Sequence, residues 1–238
     1  MKVHTFSLFA NHNLKQGSFF RLGGVSQGPY DSLNFSLSSG DDPRAVEENH
    51  SRAHKYLEIS TVCSLKQCHG DLVVVADPKI IPNADAHMTN QRGIALQVLH
   101  ADCQAALLYD PIHHAIAAIH CGWRGNVLNI YQKTIKKMHQ EYQTKAEDLL
   151  VGISASLGPL AAEFRNFEKE LPTSFLPFQV KPTYFNLWEI SKWQLTSCGV
   201  KEENIELAGI CTYANTDLCF SYRRLQKSGR HATFIALI

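Results

Sequence analysis

No run of about 18 apolar residues occurs in this 238-residue chain, so the sequence predicts no membrane-spanning helix. Met1-Lys2-Val3-His4 leads into no apolar stretch with a small-residue cleavage site. Charge of one sign is missing as well. The 23 Lys and Arg against 22 Asp and Glu leave a net charge of +1, which supplies no general attraction for nucleic acid or an anionic membrane. Any anion must therefore be held locally. The seven cysteines are odd in number and form no Cys-x-x-Cys pair, which argues against a disulfide framework and leaves most of them as buried thiols. Together these absences predict a cytoplasmic protein. There is also no repeat, no low-complexity stretch and no linker. With 45% hydrophobic and 19% charged residues, the chain is expected to form one domain over residues 1–238 with a sizeable core.

Against that background, three fragments stand out: Gln67-Cys68-His69-Gly70, Ala101-Asp102-Cys103 and His120-Cys121-Gly122-Trp123-Arg124-Gly125. Each ends a β-like run, and two lie beside glycine, where a side chain can face a cleft. His69, Cys103 and His120 are residue types that together hold a zinc ion with a fourth position open, the arrangement of a catalytic site. The plainer reading of each alone is a small core cysteine or a hydrogen-bonded core histidine. His50 and His54, four apart on an expected helix, form a rival pair. They lack the glutamate of the zinc-protease motif, and a solvated helix face accounts for them.

Residues 21–44 are dense in Gly, Ser, Asn and Pro and read as a long loop. Helical spacing of Val46, Ala53 and Leu57 predicts a helix over Pro43 to Leu57. Short apolar runs predict strands at Leu72–Ala76, Ile94–Leu99, Ala105–Tyr109, Ala115–Ile119 and Leu149–Ile153, with further strands at 205–211 and 232–238. An amphipathic helix is expected over 126–142. Its start after the Gly122 turn aims free backbone N–H groups at an anion, beside Arg124. A second helix is marked by Asn186 as cap, Glu189 three residues on and Gly199 past its end. This irregular order of elements predicts an α+β fold, with mixed sheets packed centrally and helices on the outer faces.

The blocks Arg21-x-Gly23-Gly24-Val25-Ser26-x-Gly28-Pro29-Tyr30-x-Ser32-Leu33-Asn34, Gln67-x-His69-Gly70, Asp85-Ala86, Ala101-Asp102-Cys103, His120-x-Gly122-Trp123-Arg124-Gly125, and Phe220-Ser221-Tyr222-Arg223-Arg224 with Gly229-Arg230 run from residue 21 to 230. In that order they resemble the YfiH family, labelled polyphenol oxidase or laccase-domain and also described as purine nucleoside phosphorylase and peptidoglycan editing factor.

The resemblance implies an α/β/β/α-type fold and a zinc site with ligands His69, Cys103 and His120. It implies purine nucleosides and phosphate as partners: phosphorolysis of adenosine, inosine or methylthioadenosine, and deamination of adenosine. It also places Arg21, Asn34, Arg124, Arg223 and Arg230 in the family-like blocks as candidate substrate-binding residues. Asp85 and Asp102 are the carboxylates nearest in sequence, placed to move protons or to orient a ligand histidine. With Cys103 they form the candidate catalytic set.

The chain departs from the family pattern at residues 154–164. Relatives read Gly-Pro-x-Ile-Gly-Pro-Cys-Cys-Tyr-Glu-Val there, whereas this chain has Ser-Ala-Ser-Leu-Gly-Pro-Leu-Ala-Ala-Glu-Phe. His100 replaces a common Thr and Ala105 a common Pro. Strand alternation puts His100 and Cys103 on opposite faces, which leaves His100 outside the ligand set. Two other readings compete with the zinc enzyme: a cysteine hydrolase or amidase acting on peptidoglycan precursors with Cys103 as nucleophile, and a non-catalytic module that binds a nucleotide or a metal. The laccase label is weak, because no His-x-His pair exists among the twelve histidines.

Overall fold

The computed structural model describes residues 1–238. The apolar runs become strands β1 (Val3–His4), β2 (Leu14–Phe19), β3 (Thr61–Cys63), β4 (Val73–Val75), β5 (Ala86–Thr89), β6 (Ile94–His100), β7 (Gln104–Asp110) and β8 (Ala115–Cys121). Beyond them lie β9 (Leu150–Ile153), β10 (Gln179–Lys181), β11 (Tyr184–Phe185), β12 (Ile205–Leu207) and β13 (His231–Leu237). Helices are α1 (Pro43–Leu57), α2 (Trp123–Val127), α3 (Ile130–Tyr142), α4 (Phe167–Glu170) and α5 (Leu187–Ser197). None is long and apolar enough to cross a membrane.

Every residue of β7, β8 and β13 is buried. A strand buried on both faces needs a layer on each side, and the alternation of side chains sorts the two sets. One sheet has the order β1-β2-β13-β6-β3 and the other β12-β9-β7-β8-β5-β4, with β10 and β11 as a separate pair. Leu96, Val98 and Ile235 of the first sheet meet Ala105, Leu107, Ile116 and Ala118 of the second in the central layer. On the outer face of the second sheet, Leu108, Ala117 and Ile119 bury Ile130, Tyr131 and Met138 of α3. On the outer face of the first, Phe19 and Phe234 bury Ala53 and Leu57 of α1. The expected α+β arrangement, two central sheets with outer helices, is the one observed.

Three local expectations change. The helix over 126–142 is broken: Asn129 takes a left-handed φ of 52° and caps α3 by accepting from Gln132 N, so the segment behind Gly122 is only the five-residue α2. Its small dipole removes most of the expected anion attraction of a long helix. The strand at 205–211 ends at Leu207, beyond which only Cys211 bridges to Ser156. His50 and His54 do not line a solvated face. Both are half-buried, edge-on to Phe35 and Phe234, because α1 lies on the aromatic outer face of the first sheet.

Candidate active site

The crossover 101–103 carries the chain from β6 in one sheet to β7 in the other. It places Cys103 opposite Gly122, because Gln104 pairs with Cys121 and Ala105 with His120. Cys103 and His120 share the parity of the residues facing the central layer, so both point to its open end. The 67–70 turn brings in His69. The donor atoms of His69, Cys103 and His120 lie within 4.8 Å of one another, and the two imidazole rings meet edge to face at 4.8 Å. A Cβ at Gly122 would stand 2.9 Å from Cys103 Sγ and 3.2 Å from His69 Cδ2, so glycine is what lets the turn close over the trio. His100 stays apart, buried with Nε2 bonded to Thr233 Oγ1 at 2.9 Å. The chain turns at 101–103, so strand alternation does not explain its exclusion; its own hydrogen bond does.

Asp85, fully buried, organises two of the three donors. Its Oδ1 accepts from His69 N at 2.9 Å and from His120 Nδ1 at 2.8 Å, while Oδ2 accepts from Gly70 N at 2.7 Å, Cys68 N at 3.2 Å and the Cys68 thiol at 3.1 Å. Burial pushes this carboxyl's pKa up, but bonds from His120, Cys68 and Gly70 outweigh it and hold the group well below the usual range. A carboxylate on Nδ1 leaves His120 Nε2 free as a donor atom, the usual support of a metal-ligating histidine. The same bonds hold His69 at a left-handed φ of 60°, a conformation few non-glycine residues adopt. Burial disfavours charge on Cys103 and His120 alike. Their mutual attraction, with help from His69 and Asp85, nevertheless lowers the thiol's pKa and raises the imidazole's.

Asp102 is also left-handed, with φ 87°. Its Oδ1 accepts from Thr212 Oγ1 at 2.7 Å and its Oδ2 from Arg223 N at 2.6 Å, so it ties the 211–223 segment to the site.

A cavity of about 980 Å³ opens over the trio. Arg124, Arg223 and Arg230 line it along with Asp102, Trp123, Phe164 and Tyr222. Arg124 is exposed and stacks 4.3 Å over the Trp123 ring, Arg230 lies over Tyr222, and Arg223 donates to Glu163 O. Arg21 and Asn34 are placed elsewhere. Arg21 donates to Asp31 O and Thr216 O and lies over Phe220. Asn34 is fully buried, with its amide spent on Ser36 O, Ser39 Oγ and Asp41, and its Oδ1 accepts from Arg230 N. Both pin loops behind the wall, and neither faces the cavity. Sequence reading missed Trp123 and Phe164 as lining residues; the only signals were an aromatic beside the Gly122 turn and a phenylalanine in the segment that departs from the family pattern.

Comparison with known proteins matches residues 15–238 to the family described as multi-copper polyphenol oxidoreductase laccase. The chain belongs to this family, the YfiH family. A purine nucleoside phosphorylase of Pseudomonas aeruginosa is 35% identical over 227 residues, covering 91% of this chain and 90% of the relative. The purine nucleoside phosphorylase YfiH of Escherichia coli is 32% identical over 231 residues, covering 92% and 91%. The crystal structure of YlmD from Geobacillus stearothermophilus superposes with a TM-score of 0.89 at 25% identity, over 98% of this chain and 94% of that one.

This YfiH-family chain has a single group of three or more His, Cys and acidic donors placed to share an ion. That is a place for one ion rather than for the several coppers of the family's description. Two histidines and a cysteine supply three donors for such an ion and leave a fourth position open. In the loop where the chain departs from its relatives, Leu160 projects into solvent and Ala162 is fully buried. Phe164, which stands where relatives have Val, packs against Trp123 at 6.0 Å in the cavity wall.

Proposed function

We propose that the protein is a zinc-dependent purine nucleoside phosphorylase acting on adenosine, inosine or methylthioadenosine, with deamination of adenosine as a second reaction of the same site. The observation that carries this reading is one cavity holding the His69, Cys103 and His120 donors together with three arginines and an aromatic wall. It agrees with the activity named for the relatives. All seven cysteines are unpaired, which suits a reducing compartment such as the cytoplasm.

Zinc held by His69, Cys103 and His120 would supply positive charge to polarise an oxygen at the open position. The remaining work belongs to the chain. Arg124 and Arg223 hold phosphate through paired N–H groups that match its oxygens. Phosphate then forms a bond to the ribose anomeric carbon as the bond to the base nitrogen breaks, the base leaving with the bonding pair and taking a proton from water, and Arg230 adds charge where the phosphate enters. Asp85 orients His120, and Asp102 keeps Arg223 in place; neither needs to touch substrate.

Incubating zinc-loaded protein with each nucleoside, with and without phosphate, and identifying products by mass tests the proposal. Ribose 1-phosphate and free base should appear only with phosphate, and adenosine should give inosine without it. Absence of both products from protein carrying about one zinc per chain would refute the reading.

Arg124→Ala should raise the phosphate concentration needed for half-maximal phosphorolysis about tenfold, the loss of roughly one charge-assisted contact. Zinc content and deamination should change less than about twofold. An unchanged phosphate dependence would show that the exposed Arg124 only covers Trp123.

A further inference from the structure

The phosphorylase reading leaves one side of the cavity without a task. Near β6, Gln97, Ser64 and His50 face it with Phe35, Leu65 and Leu99. Gln97 is 3% exposed, yet its amide is only half used. Oε1 accepts from Ser64 Oγ at 2.8 Å, and Nε2 lies 3.5 Å from His50 Nδ1, at the outer limit of a hydrogen bond. His50 Nε2 donates to Phe35 O at 2.9 Å, which leaves Nδ1 as the acceptor in that pair. An amide has two protons and two lone pairs, so Gln97 keeps one of each without a protein partner.

We propose that this bay holds the purine base and that the Gln97 amide reads the edge bearing the 6-substituent; the proposal rests on the phosphorylase reading. A glutamine amide meets an adjacent donor and acceptor on a purine with two parallel hydrogen bonds. The Ser64 hydroxyl either donates or accepts, so turning the amide over to serve a 6-oxo in place of a 6-amino purine keeps that bond and gives up only the long contact to His50 Nδ1. Phe35, Leu65 and Leu99 supply the apolar surface that a flat ring needs.

The reaction also calls for two separate regions of one cavity. Phosphate attacks the anomeric carbon from the side opposite the departing base, so base and phosphate belong at opposite ends of one cavity. Gln97 and Ser64 lie on the side of the first sheet, whereas Arg124 and Arg223 share the wall of Trp123 and Phe164 beyond β8. Ala101, Asp102 and Cys103 of the crossover line the same cavity.

The test compares inosine with purine riboside, which lacks a 6-substituent, by calorimetric binding without phosphate, and adenosine, inosine and purine riboside by phosphorolysis kinetics read from ribose 1-phosphate, on the zinc-loaded protein. The wild type should prefer the two 6-substituted nucleosides about tenfold, in KM rather than kcat. Gln97→Met, which keeps side-chain length, should bring the three within about twofold of one another. Ser64→Ala, which only frees the amide to rotate, should reduce the preference about threefold and serves if the methionine variant fails to fold. A preference that survives both substitutions, or an equal loss for all three nucleosides, would overturn the proposal. If the wild type binds nucleosides but forms no ribose 1-phosphate, the phosphorylase reading fails on its own and the binding preference still decides the role of Gln97. Failure to bind any nucleoside overturns both.

Discussion

Cys103→Ser is expected to lose its metal and its nucleoside turnover together. Zinc falls from about one per chain to less than about a tenth, and turnover drops about a thousandfold or more. The reason lies in the donor. Zinc takes a thiolate, and the Cys103 thiol is already drawn toward that form by the imidazoles of His120 and His69. A serine hydroxyl in the same place stays protonated at neutral pH and is a far poorer ligand. Folding should survive, because the smaller side chain only loosens the close approach to Gly122. The comparison of metal content with activity is what discriminates. The Cys103–imidazole pairing is also what a cysteine hydrolase would use, and for such an enzyme the serine variant would keep whatever metal the protein binds and lose only turnover. Metal analysis of wild type and variant purified side by side, never exposed to chelator, separates the two.

The three donors were legible because each ends an apolar run beside a turn, a local pattern that one fragment at a time can show. What brings them together was not local. Cys103 faces Gly122 because β7 and β8 form a hairpin, and that much follows from the Asp110-Pro111 turn between two apolar runs. His69 arrives only because Asp85 accepts hydrogen bonds from three consecutive backbone N–H groups, and nothing in the spacing of residues 68 and 85 announces that. The order β1-β2-β13-β6-β3 was hidden for the same reason, since it joins the first and last strands of the chain. Strand β5 escaped notice because Ala86-His87-Met88-Thr89 carries a histidine; burial lowers that histidine's pKa to about 3 and keeps it neutral.

Helix α1 was read correctly from its periodicity, but its histidines were assigned to water because composition does not reveal which face an aromatic sheet will cover. The arginines show the limit most clearly. Arg21, Arg124, Arg223 and Arg230 look alike in the sequence, and only the fold shows that Arg21 lies outside the cavity that the other three line. The break at Asn129 depends on a left-handed residue whose type permits that conformation without requiring it.

The second large effect falls on Asp85, which the sequence offered either as a proton carrier or as the group that orients a ligand histidine, and which accepts from His69 N and His120 Nδ1 in the structure. Asp85→Asn keeps shape and volume but replaces one acceptor oxygen with an NH2 group. If that group takes the Oδ2 position it faces Gly70 N and Cys68 N, which are donors; if it takes the Oδ1 position it faces His69 N and His120 Nδ1. Either way the NH2 group meets backbone donors in a fully buried place, and in the second orientation His120 also loses the acceptor that fixes the tautomer leaving Nε2 free. Leaving buried donors unpaired at this site costs about 3 kcal/mol, and for a chain of this size that lowers the melting temperature of the metal-free protein by about 6–12 °C. Zinc affinity should fall about 10- to 100-fold, the usual consequence of removing the carboxylate behind a ligating histidine. Competition with a chromophoric chelator measures the affinity, and thermal melting in excess chelator measures the stability. A variant that melts early but binds zinc within about twofold of the wild type would show that Asp85 serves the 67–70 turn alone. A variant that keeps its melting point and loses zinc would show the reverse, that the imidazole bond to His120 is its main task.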